Sequence, residues 1–201
     1  MIKWSSGGSM QAVISLLPEP YNTQVEQIWN SLEAHFGLNY VRTTPFPHFT
    51  WQLGEGYQEE EVISRLHELT LRLEPYKVST QGLNYFSSRS PILFIDVSKS
   101  PRLVKLHATI WQQLLPLTLD PSPLYSLERW HPHITLAMED LSWEMLDDVT
   151  THLQQQNLSW RFVLDNLAIA CQHADGKAQV EHIFRFGKGL TESFDCGFRA
   201  D

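Results

Sequence analysis

This sequence predicts an α+β protein of two similar lobes: two antiparallel sheets flank a central cleft, with helices on their outer faces, related by a pseudo-twofold axis. Three observations predict it. The phrase Pro47-His48-Phe49-Thr50 returns 85 positions later as Pro132-His133-Ile134-Thr135. Around each copy the same order can be read: strand, helix, motif strand, helix, strand. No segment of disordered composition divides the halves, so residues 11–187 read as one bilobal domain with lobe repeats over about 11–87 and 91–187. Composition alone would yield roughly 0.03 Pro-His-x-Thr tetrapeptides in such a chain. Two copies therefore signal duplication with a shared task.

Each element has a local reason. Residues Ala12 to Leu17 form an apolar strand closed by Pro18 and Pro20. A helix is expected from about Asn22 to Phe36, with Val25, Ile28, Trp29, Leu32 and Phe36 at helical spacing and Gly37 as its stop. The first motif strand, Phe46 to Leu53, ends at Gly54 and Gly56. A second helix, about Gln58 to Leu73, buries Val62, Ile63, Leu66, Leu69 and Leu73 ahead of Pro75, and the strand Tyr76 to Phe86 completes the unit. The second unit opens on the strand Ile92 to Val97. Ser100-Pro101 supplies an N-cap and a first-turn proline for a helix reaching Leu115. The second motif strand covers His131 to Met138, and Ser142 can cap a helix through Trp143, Leu146, Val149 and Leu153. Strands at about Leu158–Cys171 and Gln179–Phe186 finish the domain. Residues 1–10, rich in Ser and Gly, read as a flexible leader, and 188–201 as a tail without a clear pattern.

Composition narrows the function. With 42% hydrophobic and 11% aromatic residues the chain is globular in character. No apolar run approaches a membrane span, and the N-terminus lacks the apolar core of a signal peptide. The two cysteines, Cys171 and Cys196, form no motif. A cytoplasmic setting is expected, with no disulfide framework and no zinc site. A net charge of −8 argues against a surface that grips extended nucleic acid. If a nucleic acid is the target, the recognised feature should be local, such as one phosphate or one chain end.

The motifs carry the chemistry. Residues i and i+2 of a strand share a face, so His48 lies with Thr50 and His133 with Thr135, while Phe49, Trp51, Ile134 and Leu136 point to the core. Lobes related by a pseudo-twofold would bring the two pairs together. One neutral imidazole can take a proton from a nucleophile while a protonated one gives a proton to a leaving group. Threonine hydroxyls can hydrogen-bond the oxygens of a tetrahedral anion. A phosphodiester fits, with its entering and leaving oxygens on opposite sides of phosphorus, and needs no metal. By the same parity Phe46 and His131, each two residues before a motif histidine, should border the cleft as substrate-binding residues: Phe46 stacking a base, His131 touching a phosphate or sugar. His35, His67, His107 and His152 read as surface or helix-end residues, and Trp29, Trp111 and Trp143 as core.

With these motifs the chain resembles the 2H phosphoesterases, and within them the 2′-5′ RNA ligase-like, cyclic phosphodiesterase branch. The resemblance rests on PHFTWQLG at 47–54, HPHITLAME at 131–139 and AVISLLPEPYNTQVEQIWNSLEAHFG at the start, and spans about Gln11 to Gly187. It implies a bilobal pseudo-symmetric fold, no metal or other cofactor, and action on 2′,3′-cyclic phosphates or 2′-5′ linkages of RNA or nucleotides. It also implies that His48 and His133 are the acid–base pair and that Thr50 and Thr135 hold the phosphate oxygens. Acid and base are not assigned, since reversing the reaction exchanges them. The expected partner is a nucleotide or RNA terminus bound by a monomer, away from any membrane. Two alternatives stand beside this: a binding protein that keeps the cleft without turnover, and a metal-dependent hydrolase using His131 and His133.

Overall fold

The computed structural model describes residues 10–173 and 175–194. The expected leader up to residue 9, tail positions 195–201 and Cys196 lie outside the described residues. The elements follow in the order β1 (Gln11–Leu16), α1 (Tyr21–Phe36), β2 (His48–Gly54), β3 (Gly56–Tyr57), α2 (Glu59–Leu71), β4 (Tyr76–Phe86), β5 (Ile92–Val97), α3 (Pro101–Leu114), β6 (Thr118–Leu119), β7 (His133–Ala137), α4 (Trp143–Leu153), β8 (Arg161–Leu164), β9 (Asn166–Gln172), β10 (Ala178–Arg185) and β11 (Gly189–Ser193).

Two helix boundaries have the expected causes, whereas Ser142 stands at the N-cap of α4 without a side-chain cap hydrogen bond. Gly37 adopts a left-handed φ of 72° and returns its N–H to Glu33, which ends α1 where the sequence places the stop. The Ser100 hydroxyl accepts the Leu103 N–H at 3.2 Å, with Pro101 opening α3.

Two antiparallel sheets carry the fold, ordered β11-β10-β9-β1-β2 and β7-β5-β4-β8, with a small β3-β6 ribbon beside them. The pseudo-twofold is visible in that order: β2 matches β7, β1 matches β5, β9 matches β4 and β10 matches β8. It extends to single hydrogen bonds. Leu17 donates to the Pro47 carbonyl and Val97 to the Pro132 carbonyl, both at 3.1 Å.

The lobes do not follow the sequence repeat. Where repeats over 11–87 and 91–187 are expected, β4 belongs to the sheet of β5, β7 and β8, while β9 to β11 join β1 and β2. The chain crosses between sheets before β4 and returns at Asp165. Without the exchange the halves would hold three and six strands in the main sheets, and with it the sheets hold four and five. Hydrophobic periodicity marks a strand without naming its neighbour. This also explains why the strand expected over Leu158–Cys171 breaks at Asp165: β8 pairs with β4, whereas β9 pairs with β1 and β10.

The faces of the helices that bury Leu32, Leu66, Ile110 and Val149 pack on the sheet faces away from the cleft, in one core shared by both lobes. That core takes Phe49 and Trp51 from β2 and Ile134 and Leu136 from β7, as strand parity requires. Two expectations fail. His107 is buried, 2% exposed, because it falls on the same stripe of α3 as Leu103, Ile110 and Leu114. Trp143, the first residue of α4, is 42% exposed and meets Tyr85 edge-on outside the core. The strand β11 lies in the segment read as patternless tail and extends the first sheet beyond β10.

Candidate active site

The motif strands β2 and β7 form the facing edges of the two sheets, so the sheet order itself brings the repeated phrases together. His48, Thr50, His133 and Thr135 all line one pocket between the lobes. Each is half-buried, while the alternate residues of both strands are buried in the core.

The two imidazoles are held in the same way. His48 Nδ1 lies 2.9 Å from the carbonyl of Phe46, and His133 Nδ1 lies 2.7 Å from the carbonyl of His131. A carbonyl only accepts, so each Nδ1 carries the proton and each Nε2 is left for a ligand. Burial lowers the pKa of both rings below the ordinary histidine value, His133 to about 4, with the backbone bonds acting in the opposite sense. Substrate-free, both are neutral at pH 7.

The surroundings of the two rings differ. On β1, Leu16 faces His48 and Ile14 faces Thr50. On β5 the matching positions are Asp96 beside His133 and Phe94 beside Thr135. The open face of the first sheet carries small apolar residues, with Ala12, Ile14 and Ala170 in the pocket lining. On the second, Phe86 sets its ring at 5.0 Å and 89° to His133, and Phe94 lies 5.0 Å from the same ring. The cleft is therefore hollow and apolar on one side and filled with aromatic rings on the other.

Of the two bordering residues expected from parity, Phe46 lines the pocket, 5.5 Å from the His48 ring. His131 does not. Its Nε2 is engaged by Asp96 Oδ1 at 3.0 Å, and its ring stands edge-on to Phe86. A carboxylate on one imidazole nitrogen does not by itself bar the other from a metal. Among the described residues no group of three or more His, Cys, Asp or Glu is placed to hold one.

Sequence reasoning missed a second layer of the repeat. Tyr40 and Tyr125 both line the pocket, and both stand eight residues ahead of a motif histidine. The offset of 85 positions between them was the available signal. Tyr125, from the opposite lobe, shares the pocket lining with Thr50. The 3₁₀ turn Tyr40–Thr43 brings Thr43 to the wall beside Thr44, and the Asp140 carboxylate pins it by accepting the N–H groups of Asn39 and Tyr40, both at 2.7 Å. Asp140 sits just past β7, next to Glu139, whose φ is 62°.

No helix among the described residues is long and apolar enough to cross a membrane. Among known proteins, the sequence profile of the 2′-5′ RNA ligase superfamily matches residues 17–176. No curated protein matches the chain. The structure of TT0787 from Thermus thermophilus has a TM-score of 0.59 at 17% identity, covering 89% of this chain and 98% of that one. A structure described as a phosphoesterase has a TM-score of 0.52 at 13% identity, covering 92% and 97%. E. coli LigT in complex with 3′-AMP has a TM-score of 0.49 at 16% identity, covering 86% and 93%. At such identities the likeness is one of fold.

Proposed function

Since the chain belongs to the 2′-5′ RNA ligase superfamily, within the 2H phosphoesterases, we propose that it is a metal-independent phosphodiesterase acting on 2′,3′-cyclic phosphate ends or 2′-5′ linkages of RNA or nucleotides. The observation that carries this reading is the matched pair of histidines. Each offers Nε2 to one pocket, each is fixed by an identical Nδ1 bond, and each has a threonine beside it on the same face.

On a 2′,3′-cyclic phosphate, one imidazole accepts a proton from water as its oxygen attacks phosphorus. The other, protonated, gives its proton to the departing ribose oxygen. The ring opens to a phosphomonoester, and the histidines finish with exchanged protonation states. Each transfer contributes roughly 10²–10⁴-fold to the rate. Thr50 and Thr135 hydrogen-bond the non-bridging oxygens, and Phe46 stacks a base beside the apolar floor of the first lobe. The acidic surface suits a small substrate or a single RNA end bound by a monomer.

The test is hydrolysis of a short oligoribonucleotide ending in a 2′,3′-cyclic phosphate, in EDTA, with a 2′-5′-linked dinucleotide in parallel. Wild type should turn over at least one of them, and His48→Ala and His133→Ala should each lose roughly 10²–10⁴-fold. Turnover that survives His133→Ala, or that EDTA abolishes, would reject the two-histidine reading. No turnover of either substrate would leave the cleft as a binding site.

A further inference from the structure

The duplication is nearly symmetric in backbone and unsymmetric in charge at one place. Asp96 is the cross-strand neighbour of His133, and its pseudo-symmetric counterpart, Leu16, is the neighbour of His48. The residue two before each motif histidine differs in step: Phe46 on one side, His131 on the other. These two departures meet. Asp96 Oδ1 and His131 Nε2 are hydrogen-bonded at 3.0 Å, with side chains 19% and 34% exposed. His131 in turn presents its carbonyl to His133 Nδ1 at 2.7 Å, shorter than the 2.9 Å of the Phe46–His48 counterpart.

We propose that Asp96 and His131 form a positioning unit for His133, in which Asp96 clamps His131, the His131 carbonyl fixes the His133 ring, and Asp96 gives His133 a carboxylate neighbour where His48 has Leu16. This rests on the phosphodiesterase reading and deepens it, because it makes the two histidines unequal. The titratable groups that face His133 are His48 from β2, Asp96 from β5, and His131 from the segment leading into β7. Burial opposes a proton on His133 most strongly, the backbone bond to His131 favours it, His131 and His48 oppose it, and Asp96 favours it least of these. His48 has burial against its proton and the backbone bond for it, with no acidic neighbour. Phe86 reinforces the clamp by standing edge-on to both His131 and His133. His131 is thus better explained as a residue acting through His133 than as a contact to substrate.

Two variants that break the same contact should act in opposite directions. Asp96→Asn removes the carboxylate charge, and the His133 titration midpoint should fall. His131→Phe, which copies Phe46, keeps the backbone carbonyl and frees the Asp96 charge to act on His133 alone, so the midpoint should rise. NMR titration of the imidazole signals in the substrate-free protein reads both shifts, with His48 unmoved. In the pH profile of turnover a single limb should follow His133, and which limb moves tells whether it is acid or base. Midpoints that move together, or do not move, would overturn the proposal. Asp96→Leu, which copies Leu16, replaces Asp96→Asn if that variant fails to fold. Because the NMR reading needs no substrate, it stands apart from a failure to hydrolyse the cyclic phosphate.

Discussion

Trp130 donates its indole N–H to the main-chain oxygen of Thr50 at 2.9 Å, tying the approach to the second motif to the middle of the first. Trp29 makes the reciprocal bond, from α1 to the oxygen of Thr135 at 3.2 Å. The lobes are thus latched at the two residues whose side chains face the cleft. Trp130 also stacks on His107 at 4.0 Å and on Trp51 at 5.4 Å. Removing either indole donor strands a carbonyl near the lobe boundary, which costs about 1–3 kcal/mol. Trp130→Phe and Trp29→Phe should each lower the urea midpoint without changing the slope. Unchanged midpoints would show that the latch does not stabilise the fold.

On the proposed two-histidine mechanism, burial should set the pH dependence of turnover. The two-histidine mechanism needs one proton on the pair, and burial lowers both pKa values, His133 to about 4. In the free protein the singly protonated form therefore grows as pH falls, and kcat/KM should increase between about pH 8 and 6. A bound phosphate anion favours the imidazolium, so the corresponding limb of kcat should lie at higher pH. Parallel profiles for kcat and kcat/KM would contradict this.

His107 couples stability to pH. Its ring is 2% exposed, and Nε2 bonds the Tyr125 carbonyl at 3.0 Å. Burial lowers its pKa from 6.5 to about 4. The unfolded chain takes up this proton first, so the stabilisation is complete above the ordinary value and is lost as pH falls toward the folded one. The loss amounts to about 3 kcal/mol at most. Urea unfolding at neutral and acidic pH should show a smaller acid loss in His107→Gln than in wild type. Equal losses would remove His107 from the account.

Asp140 controls the pocket wall across the lobe boundary, through the two 2.7 Å bonds it accepts from Asn39 and Tyr40. Asp140→Ala should free the Tyr40–Thr43 turn and raise KM by about tenfold, equivalent to about 1.4 kcal/mol, while kcat changes less. The variant should fold, because Asp140 is exposed. A matching fall in kcat with KM constant would place Asp140 in the chemistry instead of the wall.

Much of the site is written locally. Strand parity places His48 with Thr50 and His133 with Thr135 without any knowledge of the fold, and Phe46 follows from the same count. His131 shows where parity stops. It has the right spacing, yet Asp96 from the neighbouring strand takes its ring. Asp140 belongs to the site only because its carboxylate crosses from one lobe to the other, and such a contact has no fixed spacing in the chain.

By itself the sequence determined the helices, the main-sheet strands up to β7, the duplication and the two histidine–threonine pairs, because periodicity, capping and parity act over a few residues. Only the tertiary structure decided which strands share a sheet, which side of the cleft is hollow, and which histidine has a carboxylate beside it. These depend on pairing between strands distant in the chain: β1 meets β9, and β4 leaves its own half to join β5 and β8. Backbone hydrogen bonds are nearly indifferent to side-chain identity. The choice among partners therefore rests on how the whole core closes, a property of the assembled chain and of no single segment.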